Sequence, residues 1–85
     1  MIKVYTMKNC KYCVEAKDYL KKHNIQFEEL DLSAKENREA RKYYRELGVK
    51  IAPIITGINK KTKKEWIVIG FEEEKLKNVL KDGYD

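Results

Sequence analysis

Hydrophobic and polar positions in the first third of the chain follow two different periods. Ile2 and Val4 alternate with their neighbours, which predicts a strand that ends near Thr6. The next segment has no glycine or proline and predicts a helix from about residue 10 to residue 23, with Asn9 as its N-cap. A second strand is then marked by spaced apolar residues, namely Ile25, Phe27, Leu30 and Leu32.

A second helix is predicted where apolar residues recur at helical spacing. Residues Ser33–Glu36 match a capping box, so we expect this helix to begin there. Gly48 follows the last apolar position and is expected to close the helix. The apolar face consists of Ala40, Tyr43, Tyr44 and Leu47.

The last third of the chain predicts a hairpin and a final helix. Residues 51–56 indicate a third strand, which Pro53 interrupts. A polar turn over residues 57–64 and the apolar run Trp66–Ile69 complete an antiparallel hairpin. The final helix has acidic residues in its first turn and basic residues in its last turn, which suits the helix dipole. It is expected to end at Gly83. Its apolar face consists of Leu76, Val79 and Leu80.

These elements follow the order β-α-β-α-β-β-α, without repeats or linkers. The first strand-helix-strand unit is expected to form a right-handed crossover between parallel strands. The chain has 85 residues, 42% hydrophobic and 39% charged, which predicts one modest core under a charged surface. We therefore expect a single α/β domain that spans residues 1–85.

Charge and the N-terminus narrow the range of partners. The net charge of +5 fits nucleic acid, an acidic protein or a plain solvated surface. The lysine-rich stretch at residues 60–64 has no interleaved aromatic residue, which favours a solvated turn. No stretch approaches the roughly 18 apolar residues of a membrane helix, and the N-terminus resembles a strand rather than a signal peptide. The expected location is cytoplasmic, with no nucleic-acid or membrane partner.

Cys10 and Cys13, the only two cysteines, carry the candidate chemistry. A bridge across two residues closes too small a loop to act as a structural staple. At a helix N-terminus the free amides and the dipole favour a thiolate on Cys10, and Lys8 and Lys11 add positive potential. We expect Cys10 to attack a substrate disulfide and Cys13 to resolve the mixed disulfide. Tyr12 is expected to contact the bound partner.

Two other functions stay open for this chain. A metal or iron–sulfur cluster needs more ligands than Cys10, Cys13 and the distant His23 provide, so it would be shared across a dimer. The other is a basic adaptor for nucleic acid or protein with a vestigial cysteine pair. His23 lies about three helical turns from Cys10, too far to act as the base of a Cys–His hydrolase.

Three motifs along the chain are shared with a known family. They are Tyr5-Thr6-x-x-x-Cys10-x-Tyr12-Cys13 with Ala16-Lys17, then Val49-Lys50-Ile51-Ala52-Pro53-Ile54, and Ile69-Gly70-Phe71-Glu72. With them the whole chain resembles the glutaredoxins, and among these the small redoxins that serve ribonucleotide reductase. The resemblance implies a thioredoxin-like fold, in which three helices flank a four-stranded mixed sheet. It also implies a dithiol–disulfide oxidoreductase that reduces protein or glutathione mixed disulfides as an electron carrier in redox homeostasis.

The resemblance also implies how substrate is held. A cis peptide bond before Pro53 would present the Ala52 backbone to an extended substrate, whereas the alternative is a trans proline on an edge strand. Gly70, Phe71 and Glu72 would complete the docking groove.

The protein is expected to be a monomer with no tightly bound cofactor and no metal. Contacts with substrate or glutathione are expected from Lys8, Lys11, Tyr12, Ala52, Pro53, Gly70, Phe71 and Glu72.

Three departures from the family pattern weaken the link to glutathione. Lys11 replaces the usual proline, Met7 replaces a lysine that contacts glutathione, and Ile69 replaces a glycine. The step Ile69-Gly70-Phe71 is more similar to the ribonucleotide-reductase redoxins, which take electrons from thioredoxin reductase. Glutathione is therefore a candidate co-substrate and thioredoxin reductase the rival reductant. The expected substrates are disulfide-containing proteins, ribonucleotide reductase among them.

Overall fold

Seven strands and helices follow the predicted order along the chain, which the computed structural model describes from residue 1 to residue 85. The strands are β1 (Ile2–Thr6), β2 (Phe27–Asp31), β3 (Ile54–Ile58) and β4 (Glu65–Ile69). The helices are α1 (Lys11–Lys22), α2 (Arg38–Leu47) and α3 (Glu73–Leu80). None of the three is long and apolar enough to cross a membrane.

Strand pairing brings the ends of three strands together. The sheet order is β2-β1-β3-β4, with β1 and β2 parallel and the other two pairs antiparallel, as predicted. Tyr5, near the end of β1, pairs with Ile54 at the start of β3, and Ile54 pairs with Ile69 at the end of β4. The loop after β1, the segment before β3 and the turn after β4 therefore meet at one end of the sheet.

Buried side chains form one core on each face of the sheet. Burial of an aliphatic side chain contributes about 1.5–3 kcal/mol, so these cores hold the helices against the strands. The core that includes residues of α1 and α3 consists of Ile2, Val4, Ala16, Leu20, Ile25, Ile55, Val68 and Leu76. The core that includes Ala40 of α2 consists of Tyr5, Leu32, Ala40 and Ile54.

The predicted start of α2 is wrong, because the capping box at Ser33 does not form. The helix begins at Arg38, after Asn37. Ser33 instead donates its hydroxyl and its amide to the Asp31 carboxylate, at 2.6 and 2.8 Å. These bonds close a turn after β2 and hold the pKa of Asp31 below its usual range. The serine is therefore bonded to Asp31, two positions before it, rather than to the helix after it.

The bounds of the last elements also differ from prediction. β3 begins after Pro53 rather than at Ile51, since proline has no N–H to contribute to a strand ladder. Residues 57–58 extend this strand instead of forming the turn. α3 ends at Leu80 rather than at Gly83, whose amide donates back to the Leu80 carbonyl oxygen at 3.1 Å.

Trp66 on β4 packs against the core that includes α1 and α3. Its partner across the ladder is Gly57 on β3. A Cβ atom added at Gly57 would overlap the indole ring. The missing side chain of Gly57 thus provides the space that the only tryptophan occupies.

We expect Gly57→Ala to lower the free energy of unfolding by about 1–3 kcal/mol, because the new methyl group must displace the indole ring. Urea unfolding followed by circular dichroism measures the change. In a Trp66→Phe background the same substitution should cost less, because the overlapping ring atoms are gone. Equal losses in both backgrounds would contradict the steric explanation.

Candidate active site

Cys10 begins α1 as its N-cap residue. Its backbone is extended, with φ −112° and ψ 102°, and its Sγ accepts the amide of Cys13 at 3.1 Å. Asn9, the predicted N-cap, instead adopts a φ of 55° in the loop before the helix. That turn in the loop leaves the capping position to Cys10. The first turn therefore offers the Cys10 sulfur a hydrogen bond that favours its thiolate form.

Cys10 and Cys13 are joined by a disulfide and differ in exposure. Cys13 is 2% exposed, whereas Cys10 is half-buried. A substrate disulfide must reach the attacking sulfur directly. Because Cys13 is buried, only Cys10 is accessible to the substrate. The geometry suits Cys10 for the first attack, on the substrate disulfide, and Cys13 for the second attack, on the mixed disulfide at Cys10.

Charge around the disulfide favours an anion. The first turn of α1 has no acidic residue, and Lys11 is its first residue. Lys8 and Lys11 are both exposed beside the helix start. Cations and free helix amides both lower the free energy of a thiolate at this position. Tyr12, between the cysteines, is 57% exposed and is available for contact with a partner.

The segment before β3 lies against Cys10. A cis peptide bond joins Ala52 to Pro53, as the resemblance implied. The Ala52 carbonyl oxygen lies 3.7 Å from Cys10 Sγ, although the two residues are 42 positions apart. The Gly70 amide donates to the Pro53 carbonyl oxygen at 2.8 Å. The turn after β4 is thereby tied to the segment that faces the disulfide.

Tyr44 also holds the segment that faces the disulfide, a role that the sequence did not predict. The helical spacing assigns it only to the apolar face of α2, but its hydroxyl donates to the Ile51 carbonyl oxygen at 3.0 Å. Burial raises the pKa of Tyr44 further above neutral pH, where a tyrosine hydroxyl is protonated and can donate in any case. This bond fixes the backbone just before Ala52.

The other predicted groove residues lie in different surroundings. Gly70, with a φ of 82°, adjoins Pro53 through its amide. The Phe71 ring packs on Tyr19 of α1, with 5.9 Å between ring centroids, and against the core. The exposed Glu72 carboxylate pairs with Lys75 at 2.8 Å. Of these three, only Gly70 has a direct bond to the segment facing the disulfide.

An open cleft of about 550 Å³ beside the cysteines contains an ion pair that was not predicted. Lys17 Nζ donates to both carboxylate oxygens of Glu29, at 3.1 and 3.2 Å. The buried Thr6 hydroxyl donates to the same carboxylate at 2.9 Å. Both charged groups are partly exposed, so the pair contributes up to about 1 kcal/mol. Its structural effect is to tie α1, one turn after Cys13, to β1 and β2.

No group of three or more His, Cys, Asp or Glu side chains in one chain could hold a metal ion. His23 caps the far end of α1, where its ring lies 4.4 Å from that of Tyr19. The cluster-binding alternative therefore requires ligands from two chains.

Comparisons with known proteins agree with this arrangement. A family model described as Glutaredoxin matches residues 2–61. An uncharacterized glutaredoxin-like 8.6 kDa protein in the rubredoxin operon of Clostridium pasteurianum is 36% identical over 66 residues, which cover 71% of this chain and 88% of that protein.

Solved structures share the architecture. The thioredoxin-like protein BC3987 superposes with a TM-score of 0.70 at 31% identity, and the match covers 94% of this chain and 100% of that one. The glutaredoxin-like protein NrdH-redoxin from Escherichia coli has a TM-score of 0.70 at 21% identity, covers 91% of each chain and shows the same fold. The protein is thus a thioredoxin-fold protein, as expected. Within that class, the chain belongs to the glutaredoxin family.

We expect Tyr44→Phe to lower the free energy of unfolding by about 0.5–1.5 kcal/mol, because one hydrogen bond to the Ile51 carbonyl is lost. Reduction of bis(2-hydroxyethyl) disulfide by the pre-reduced protein should slow by about two- to fivefold, because the segment facing Cys10 is held less firmly. Tyr43→Phe is the matched control, since Tyr43 lies on the same helix and its hydroxyl makes no hydrogen bond within the chain. An equal loss of rate in the control would contradict this role for Tyr44.

Proposed function

We propose that the protein is a dithiol–disulfide oxidoreductase that reduces disulfides of partner proteins through Cys10 and Cys13. One observation carries the proposal. An accessible Cys10 sulfur at the start of α1 accepts the amide of a buried Cys13 one turn later. Membership of the glutaredoxin family supports the same chemistry.

The reaction follows from the two cysteines in their reduced form. The Cys10 thiolate attacks one sulfur of the partner disulfide, so that a mixed disulfide forms and the partner's other sulfur leaves as a thiolate. Cys13 loses its proton and attacks Cys10 Sγ, which forms the Cys10–Cys13 disulfide and releases the partner's second thiolate. Two electrons pass to the partner, whose thiolates take up protons. A separate reductant must then reopen the disulfide.

Substrate docking would use the segment that faces the disulfide. Ala52 is half-exposed beside Cys10, where an extended chain can pair with its backbone as an added strand. Further contacts are proposed from the exposed Lys8, Lys11 and Tyr12, which surround the helix start. Gly70, Phe71 and Glu72 would form the opposite wall of the groove, while the buried Pro53 would hold the Ala52 backbone in place behind it.

Proteins are the proposed substrates, with ribonucleotide reductase as the partner that the Ile69-Gly70-Phe71 step implies. Glutathione and thioredoxin reductase are the candidate reductants. Met7 offers no charge for a glutathione carboxylate at the position where the family has a lysine, which favours a protein reductant. A reducing compartment such as the cytoplasm would keep the pair available as a dithiol.

Substitution of each cysteine should separate the two steps. We expect Cys10→Ser to abolish reduction of a protein disulfide, because no accessible sulfur remains. Cys13→Ser should still attack but stop at the mixed disulfide, which non-reducing mass spectrometry detects as an adduct. An adduct that forms on Cys13 in the Cys10→Ser protein, at the rate seen for Cys10, would contradict the assignment of roles.

The Cys10 thiol in Cys13→Ser should titrate below the ordinary pKa of about 8.5, because the helix amides and nearby lysines favour its thiolate. A lowered pKa keeps the thiolate at pH values where a free cysteine is protonated, so attack should persist as the pH falls toward that pKa. Absorbance at 240 nm against pH measures the titration. A midpoint at or above 8.5 would contradict this electrostatic account.

A paired assay should identify the reductant. The oxidised protein is incubated with glutathione, glutathione reductase and NADPH in one sample, and with thioredoxin reductase and NADPH in another. We expect NADPH consumption with a protein disulfide substrate to be at least about tenfold faster with thioredoxin reductase, which corresponds to about 1.4 kcal/mol. The Cys10→Ser protein is the control for background reduction. A faster glutathione reaction would overturn the preference for a protein reductant.

A further inference from the structure

Strand β4 forms one edge of the sheet and has no partner on its outer side. The sheet order β2-β1-β3-β4 makes β2 and β4 the two edges. All residues of β4 pair with β3 on the inner side. No backbone hydrogen bond outside that ladder involves any residue of β4. The outer N–H and C=O groups of such an edge are free to pair with a further strand.

The hydrogen bonds to β3 show which groups of β4 are free. Just before the strand, the Lys64 carbonyl oxygen accepts the Asn59 amide at 2.9 Å. Just after it, the Gly70 amide donates to the Pro53 carbonyl oxygen at 2.8 Å. Residues that bond to the neighbouring strand alternate with residues that do not, so every second residue of β4 directs its N–H and C=O groups outward. These residues are Glu65, Ile67 and Ile69.

The two edges of the sheet differ in charge. β2 carries Glu28, Glu29 and Asp31 within the strand, and such charges oppose the approach of a further strand. β4 has a charge only at its first residue and contains no lysine or proline. Ile67 and Ile69 are each 40% exposed. β4 is therefore the edge that is open to pairing, and it offers apolar contacts to a partner strand.

Opposite charges flank β4 at its two ends. The turn before the strand, residues 60–64, holds four lysines, and residues 72–74 after it are all glutamates. All of these side chains are exposed, and only Lys63 and Glu72 among them form ion pairs within the chain. A strand that pairs with β4 in the antiparallel direction is favoured if it has acids at the end that meets the lysines and bases at the other end. The same segment of a second copy meets both conditions.

We propose that two copies of the protein associate through β4, in an antiparallel ladder that joins their four-stranded sheets into one. With Ile67 on the two-fold axis, Ile67 faces its own copy and Glu65 faces Ile69, so each outward residue exchanges two hydrogen bonds with its counterpart. No other antiparallel register bonds all three outward residues. The lysine-rich turn of each copy then lies beside residues 72–74 of the other, whereas a parallel pairing would bring like charges together.

Such a dimer differs from the monomer expected from the sequence. A ladder of this length is at the low end of the size range of specific interfaces, so the dissociation constant should lie in the micromolar range. The pairing does not involve the cysteines, and it is independent of the proposed function. It would place the lysine-rich turn of one copy next to Gly70 of the other, at the end of the sheet that carries the disulfide.

Two charge-reversed variants test the pairing by its self-complementarity. The first, Lys60→Glu with Lys61→Glu and Lys64→Glu, makes both flanks of β4 acidic. The second, Glu73→Lys with Glu74→Lys, makes both flanks basic. Each variant alone should associate at least about tenfold more weakly than the wild type, because like charges now meet at both ends. An equimolar mixture should recover to within about threefold of the wild type, because each acidic flank then meets a basic one.

Sedimentation equilibrium of the oxidised protein measures the association, since the closed disulfide prevents covalent cross-linking through the cysteines. Concentrations from about 10 µM to about 1 mM cover the expected range of dissociation constants. About 50 mM NaCl leaves the exposed charges weakly screened. Circular dichroism establishes that each variant is folded.

A substitution within the strand provides a second test. Ile67→Lys places two like charges opposite each other at the two-fold axis and should weaken association at least about tenfold. Val14→Lys is the matched control, since it adds the same charge at an apolar residue of α1 that is 52% exposed. It should change the dissociation constant by less than about twofold. Amide hydrogen exchange of the wild type at Ile67 should slow as the concentration rises, because the outward amide gains an acceptor.

Several results would overturn this dimer. A wild-type protein that stays monomeric over the whole concentration range would do so, and so would a mixture of the two flank variants that associates no more tightly than each variant alone. Equal losses for Ile67→Lys and Val14→Lys would place the contact away from β4. A monomer whose Ile67 amide becomes protected only on addition of an uncharged strand-forming peptide would assign the edge to a different protein.

Discussion

The antiparallel pairing of β1 with β3 is the constraint on which the site depends. Because Tyr5 pairs with Ile54, the residues after β1 and those before β3 leave the sheet at the same end. Cys10 and Ala52 therefore come within 3.7 Å although 42 positions separate them. A shift of one residue in this register would turn the buried side chains of β3 to the wrong face, so the two cores and the site are fixed by the same pairing.

Sequence patterns predict those parts of the protein that are determined locally. The order of elements follows from hydrophobic period, and the pair Cys10 and Cys13 is recognisable from its spacing at a helix start. The start of α2 was mispredicted because Ser33 binds Asp31, a competing local partner that a capping pattern does not reveal. The same limit applies to Asn9, which turns the loop while the cysteine after it caps the helix.

Features that depend on tertiary contacts could not be predicted in this way. The bond from Tyr44 to Ile51 joins α2 to the segment before β3, whereas helical spacing explains Tyr44 fully as a core residue. The contact of Lys17 with Glu29 likewise joins a helix to a strand through side chains that are unremarkable on any charged surface. In both cases, the residue type has an ordinary structural explanation. Only the folded structure shows the contact that each side chain makes with another part of the chain.

Tyr44 links the surface of α2 to the backbone that faces Cys10. Tyr44 lines a cleft of about 440 Å³ beside the C-terminal part of α2, and its hydroxyl donates to the Ile51 carbonyl oxygen just before Ala52. Any occupant of that cleft thus touches the side chain that orients the backbone opposite the reacting sulfur. A change in the position of this ring would therefore shift the backbone that lies 3.7 Å from Cys10 Sγ, without any contact with the cysteines themselves.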